Sequence, residues 1–579
     1  MFSSGVSPVL RRAVGSPFPF ASLVVLATAC GGTRSGGSGD GPPADTGRSD
    51  GGTSADGGLD CSVHAFSDAS IPLRDGLSLA ATVRAPTNPA CKLPVVVLQT
   101  PYDRAGAQRI WLASGQSQPL FESRDYAFVI VDMRGFFGSL PAAKVPLTPA
   151  QDGYDVVEWA AAQPWSSGAV GTWGVSALGV QQYQTASAAP PHLKAAVPIF
   201  CQARTTYGQF YPGGVLRREY NDFLTRYFGS SGAVLQYPYD GPAWNYAASL
   251  VNVGDIAVPV LVVAGWYDLY PAGSFETFAE LIARGRAGSE ARLLVGPWIH
   301  AAMGGERSAG RELDPEELRF ADGDRKVQRD SLAFFDRHLR GLDGSPASSW
   351  AAVRVVAGGV AVADEGFATW PPVSSPRTLY FTTAGELAAT PPAEGSVGFP
   401  YDPSDPSPTV GGGTLLGTLH HGPTSQAAVL ARADRAAFTS EPLPEALRIG
   451  GRVAVTLEVS TTAMDTDVAV RLTDVDAAGT HTLIGEGIRR LKLVANPRVP
   501  TLVPPGQRVS VPVPLLTDLA YTFAAGHRVG VIVSNSNYPR FDRNPTTGAD
   551  FLADGGVPPR ASTTTLFTGG VSRIVLPVR

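Results

Sequence analysis

The sequence predicts a mixed α/β domain on a largely parallel sheet, followed by an all-β sandwich. Short β-branched runs alternate with helical segments up to about residue 345, and after about residue 346 helical periodicity largely vanishes. Beyond that point short alternating segments are separated by Gly, Pro and Asp, the punctuation of many short strands. At 579 residues the chain exceeds one compact core, so two to four domains are expected. The 65 glycines and 49 prolines favour turn-rich architecture over long helices. A net charge of −5 without a basic cluster argues against nucleic acid as a partner.

The first residues read as an address. Arg11 and Arg12 precede an apolar stretch over 18–29 that is too short for an ordinary spanning helix. It ends in Leu26-Ala27-Thr28-Ala29-Cys30, which resembles a bacterial lipobox, with Cys30 as the lipidated residue. Ala27 stands where leucine is more usual, which keeps plain signal-peptidase cleavage as the alternative. Residues 1–30 are therefore expected to be a lipoprotein signal peptide, and the Gly/Ser/Asp-rich residues 31–59 a disordered linker. The implied location is periplasmic or cell-surface, with membrane contact only through the lipid. Cys61 and Cys91 can pair in such an oxidising compartment, and Cys201 is then expected to be a buried thiol.

From about Ile71 the pattern becomes strand-like. Runs at 93–98 and 126–131 are long enough for buried strands and too short for core helices. Residues 151–162 read as a helix, 260–263 and 292–295 as further strands, and 327–339 as a closing helix. Residues 200–256 interrupt this rhythm with many aromatics, among them Tyr207, Phe210, Tyr220 and Phe223, and read as an inserted helical cap. The α/β domain is thus expected over 60–199 and 257–345. Residues 346–579 form the sandwich, with strands near 453–459, 468–472 and 528–533.

The chemical signal is Val170-Gly-Thr-Trp-Gly-Val-Ser176-Ala-Leu-Gly179, read as a strand, a tight turn carrying serine, and a helix. A serine in such a turn needs small neighbours, which Gly174 and Gly179 supply, although Leu178 occupies the last position of G-x-S-x-G. A serine hydroxyl needs a base, and the base needs an acid to fix its tautomer. Asp268 and His300 each follow a strand, in the order serine, acid, histidine. Of the other histidines, His338 reads as lying on a solvated helix face, His192 in a surface turn, and the remainder beside the first strand or in the β-rich region.

The chain resembles the cocaine esterase and Xaa-Pro dipeptidyl-peptidase (S15, CocE/NonD) group of α/β-hydrolases. Gly174-Val-Ser176-Ala-Leu-Gly179 satisfies that group's G-x-S-x-x-G, and other blocks follow in order: 71–79, Pro101-Tyr102-Asp103, 132–139, 334–341, 438–443, Asp465-Thr-Asp467 and 544–548. The resemblance runs from about residue 62 to the end. It implies an α/β-hydrolase fold with an inserted helical cap and a C-terminal jelly-roll β-sandwich. Ser176 becomes the nucleophile, Asp268 the acid and His300 the base; Tyr102 and the Ala177 N–H become the oxyanion donors. No metal or organic cofactor is implied.

The family often carries tyrosine after the nucleophile, where this chain has Ala177. The implied activity is acyl transfer to water by a carboxylesterase. Xaa-Pro dipeptidyl-peptidase and α-amino acid ester hydrolase or β-lactam acylase are the alternatives, and a surface binding protein using the jelly roll is the non-enzymatic one. A peptidase of this type needs a carboxylate for the substrate's free amine; Glu219, Asp222 and Asp240 are available in the cap, each read as a solvated surface residue.

Overall fold

The computed structural model describes residues 59–108, 118–144, 147–228, 232–286, 290–300, 307–308, 311–312, 323–359, 364–415, 419–549 and 558–579. The leader, Cys30 and nearly all of the linker lie outside the described residues.

The first domain is built on a ten-stranded sheet whose last two strands, 353–356 and 364–367, lie beyond the boundary expected at residue 345, because they extend the sheet from the strand at 292–299. Its strands are β1 (His64–Pro72), β2 (Ser78–Pro86), β3 (Leu93–Thr100), β4 (Ala127–Asp132), β5 (Ser166–Val175), β6 (Leu193–Ile199), β7 (Leu261–Tyr267), β8 (Arg292–Ile299), β9 (Val353–Val356) and β10 (Asp364–Phe367), in the order β1-β2-β4-β3-β5-β6-β7-β8-β9-β10. Pairing is parallel from β4 through β9 and antiparallel at both ends. Burial explains the sequence of the central strands: β4 and β7 are buried at every position, so they read as continuous apolar runs. β1, at one edge, is mostly exposed and starts earlier than its apolar pattern suggests.

Helices α1 (Pro149–Ala161) and α2 (Ala177–Ser187) pack against the sheet and one another. Between β6 and β7 the chain forms α3 (Arg218–Phe228) and α4 (Pro242–Ser249), with shorter turns around them. After β7 come α5 (Pro271–Arg284) and, after β8, α6 (Gly323–His338). His338 departs from the solvated position its sequence suggests. Its side chain is 12% exposed, its ring stands edge-on to Phe334, and burial pushes the imidazole down to about 4.

The C-terminal domain is a β-sandwich around its own apolar core. One run of antiparallel neighbours is Arg435–Ser440, Arg528–Ser534, Asp467–Val475 and His481–Arg490. Another comprises Ala454–Thr461 with Val509–Pro514, Ser562–Phe567 and Arg573–Val578. Alternating burial along Arg435–Ser440 and Val509–Pro514 is the period-two pattern of strands with one face inward. Inside this domain Asp467 and Arg490 form a bidentate ion pair, with the Asn544 amide donating to both Asp465 and Asp467. The residues of the two acidic and asparagine blocks noted in the sequence are thus one buried network.

Candidate active site

β5 ends at Val175, and Ser176 turns the chain into α2 with φ +60°. This left-handed conformation is strained for serine and projects it at the sheet edge of the turn. The Ser176 N–H donates to the Ile199 carbonyl at 2.8 Å, which ties the turn to β6. The flanking glycines are needed for space: a Cβ at Gly174 would strike Leu178, and one at Gly179 would strike the Cys201 sulfur. Cys201 is a free, buried thiol whose pKa burial drives well above the usual range, so it is chemically quiet.

Asp268 and His300 stand just beyond the C-terminal ends of β7 and β8. The parallel sheet delivers both to the edge where β5 delivers Ser176. His300 Nδ1 faces Asp268 Oδ1 in a short contact, and His300 Nε2 is 3.1 Å from Ser176 Oγ. Asp268 Oδ2 accepts the Tyr270 N–H at 2.9 Å. All three side chains are buried, with residue exposures of 2% for Ser176, 2% for Asp268 and 5% for His300. A proton on Nδ1 leaves Nε2 free to accept the serine proton, so the arrangement can generate a nucleophilic alkoxide.

Ala177 is the first residue of α2, where an N–H has no intrahelical acceptor. Tyr102 follows β3 at the same edge of the sheet, and its ring packs on the apolar cluster that contains Ala177. That cluster also holds Phe136, Phe210, Leu216, Tyr220, Trp244, Tyr270 and Leu415. The Tyr270 ring meets His300 edge-on at 5.7 Å between centroids, and Phe200 lies at 6.2 Å on a tilted ring. The surroundings of His300 and Ala177 are therefore aromatic, with residues of α3 and α4 in the same cluster. Tyr270 and Leu415 were not legible as site residues, the first because it lies beside the acid in sequence without a motif, the second because it comes from the sandwich.

The cap carboxylates differ from their sequence reading in one case. Glu219 is fully buried and accepts the Leu415 N–H at 3.3 Å, because the sandwich covers that face of α3. Asp222 is exposed and receives the Arg218 guanidinium, and Asp240 pairs with Arg498. Cys61 and Cys91 form a disulfide that pins the chain ahead of β1. Among the described residues no His/Cys/Asp/Glu group is suited to hold a metal ion.

Residues 75–233 and 219–302 match the family model of the X-Pro dipeptidyl-peptidase (S15 family), and 345–571 match that of the X-Pro dipeptidyl-peptidase C-terminal non-catalytic domain. Cocaine esterase from Rhodococcus sp. (strain MB1 Bresler) is 29% identical over 557 residues, covering 85% of this chain and 94% of the relative. Among solved structures, an aminopeptidase from the marine sediment archaeon Thaumarchaeota archaeon superposes with a TM-score of 0.76 at 22% identity, covering 92% of this chain and 99% of the other. An α-amino acid ester hydrolase superposes with a TM-score of 0.73 at 22% identity, covering 89% and 97%.

Proposed function

Because the chain belongs to the cocaine esterase and X-Pro dipeptidyl-peptidase (S15) family of α/β-hydrolases, and is a serine hydrolase, we propose that it is a carboxylesterase working through Ser176, His300 and Asp268. The observation that carries the residue assignment is the continuous contact from Asp268 through His300 to Ser176. Ser176 attacks the ester carbonyl as His300 takes its proton, and Asp268 stabilises the resulting imidazolium. The Ala177 N–H and the Tyr102 hydroxyl meet the charge that develops on the carbonyl oxygen. His300 then protonates the leaving alcohol, and water repeats the cycle on the acyl-enzyme.

The preference for esters rests on the cap. Its acidic side chains are already engaged, Glu219 by Leu415, Asp222 by Arg218 and Asp240 by Arg498. The wall nearest His300 is aromatic, which suits an apolar or aromatic acyl group. The test compares wild type with Ser176→Ala on p-nitrophenyl esters of graded acyl length and on Xaa-Pro p-nitroanilides with free amines. Ester turnover that the substitution abolishes, with inert anilides, supports the proposal. Anilide cleavage that requires the free amine makes the protein a dipeptidyl-peptidase instead. Failure of folded protein to react with a fluorophosphonate would leave a binding role for the β-sandwich.

Export as a lipoprotein anchored at Cys30 belongs to the same reading. It is supported by the small residues before that cysteine and by the Cys61–Cys91 disulfide, which suits an oxidising compartment. Radiolabelled palmitate should enter the wild-type chain and not Cys30→Ser; equal labelling of both rejects the anchor.

A further inference from the structure

The β-sandwich reaches the catalytic acid through a run of glycines, among other contacts. Residues 410–415 read Val-Gly-Gly-Gly-Thr-Leu and run close to Asp268, Glu486 and Arg540. At Gly412, φ is +80° and a Cβ would press on the Glu486 carboxylate and, at 2.7 Å, on Arg540 Nη1. Gly413 has no such backbone requirement. A Cβ there would strike the main-chain carbonyl of Asp268 and come within 3.2 Å of Arg540 Nη2. Glycine at 413 is thus required for a close approach between the two domains' backbones.

Besides its contact with His300, Asp268 is held from its own domain through its N–H, which donates to the Gly265 carbonyl, and its Oδ2, which accepts the Tyr270 N–H. Other parts of its surroundings come from elsewhere. The cap's Arg217 donates to the Leu269 carbonyl at 2.8 Å, and the Tyr267 hydroxyl donates to the Leu483 carbonyl of the sandwich. Arg540 is 2% exposed and ion-paired with Glu486, which also receives the Asn537 amide. Burial pushes the Arg540 guanidinium down to about 9, which leaves it charged at neutral pH. Arg540 and Asp268 line one cavity of about 130 Å³ together with Arg217 and Glu486. The charged or ionisable groups facing Asp268 are His300, Glu276 of α5, Arg217 of the cap, Arg540 and Glu486 of the sandwich, and the Cys201 thiol, with Glu219 facing Arg540.

We propose that Gly413 and Arg540 are positioning residues for Asp268, so that the C-terminal domain sets the location and the charge environment of the catalytic acid. This rests on Asp268 being that acid. An acid that orients an imidazole must be held to a fraction of an ångström, and displacement by about 1 Å is enough to lower turnover by about 10²-fold.

The test uses the full chain, with rates normalised to folded protein from thermal melts. Gly413→Ala should lower kcat by about ten-fold or more while KM stays within about two-fold, because the displaced carboxylate supports only the transition state. The acid limb of its kcat/KM profile should move to lower pH, since an imidazole whose carboxylate partner is withdrawn holds a proton less tightly. Arg540→Met removes the cation beside Asp268 and should move that limb to higher pH, whereas Arg540→Lys should leave it at the wild-type position. Gly530→Ala crowds Thr473 and Val475 inside the sandwich and is the stability control; it should lower Tm and leave both kcat and the limb unchanged. If Gly413→Ala loses activity only in proportion to its folded fraction, with the wild-type limb, the proposal is overturned. Asp268→Asn separates the two failures: full activity in that variant rejects Asp268 itself, whereas an inactive Asp268→Asn beside a normal Gly413→Ala rejects only the positioning role.

Discussion

The hydroxyl of Tyr270 donates to that of Tyr220 across 2.8 Å, joining the loop that carries Asp268 to the cap helix. Tyr220 also accepts from the Gln209 amide at 3.2 Å, so it is the shared acceptor of the pair. Removing the Tyr220 hydroxyl removes both bonds, whereas removing that of Tyr270 leaves the bond from Gln209 intact. Tyr220→Phe should therefore destabilise the protein by about 1–3 kcal/mol and Tyr270→Phe by about 0.5–1.5 kcal/mol. Urea denaturation of the two variants checks this order; the reverse order would show that the bond does not organise the cap.

Asp268→Asn keeps the size of the side chain and removes its charge. With Nδ1 of His300 facing it, an amide favours the wrong imidazole tautomer, and kcat should fall by about 10⁴-fold. Ser176→Ala should fall further, by about 10⁶-fold. Single-turnover rates on a p-nitrophenyl ester measure both, and comparable wild-type rates in either variant would reject its assigned role.

Tyr102→Phe removes a hydroxyl while the ring remains on the cluster around Ala177. If that hydroxyl serves the oxyanion, kcat should drop by about 10²–10³-fold with KM nearly constant. A change confined to KM would assign Tyr102 to substrate packing.

His338 yields a pH effect on stability. Its folded-state value lies near 4, below the ordinary imidazole value of 6.5, because burial disfavours the cation. A base depressed in this way contributes fully above about pH 6.5, and its contribution is lost as pH falls from there towards 4. Between pH 7.5 and 5, Tm should fall less in His338→Gln than in wild type. Parallel declines would show that His338 takes no part in acid sensitivity.

The strand ends that bring Ser176, Asp268 and His300 together were legible because local packing constrains their sequence. Ser176 needs Gly174 and Gly179 for space, and Asp268 and His300 must follow apolar strands that are buried on both faces. Burial by distant chain was not legible. Glu219 looks like any charged residue on an amphipathic helix, and only residues almost two hundred positions later cover it. His338 sits between arginines in sequence, yet its ring lies against Phe334 and near Glu290. No motif in the sequence marks the Gly411-Gly412-Gly413 run as lying against Asp268 and Arg540. The edge strand β1 was found late for a related reason: mostly exposed, it lacks the apolar alternation that announces a strand.

That edge bears on how copies of the molecule tolerate crowding. Among the described residues β1 pairs only with β2, so its outer backbone groups offer a template to which a second chain can add a strand. Asp68 stands in the middle of it with its side chain 78% exposed, bridged to Arg104 beneath. A copy adding on there would crowd that carboxylate against its own Asp68 or an unrelated backbone. The same residue that makes β1 hard to read thus discourages aggregation through the sheet, and Asp68→Val is the change that would release it.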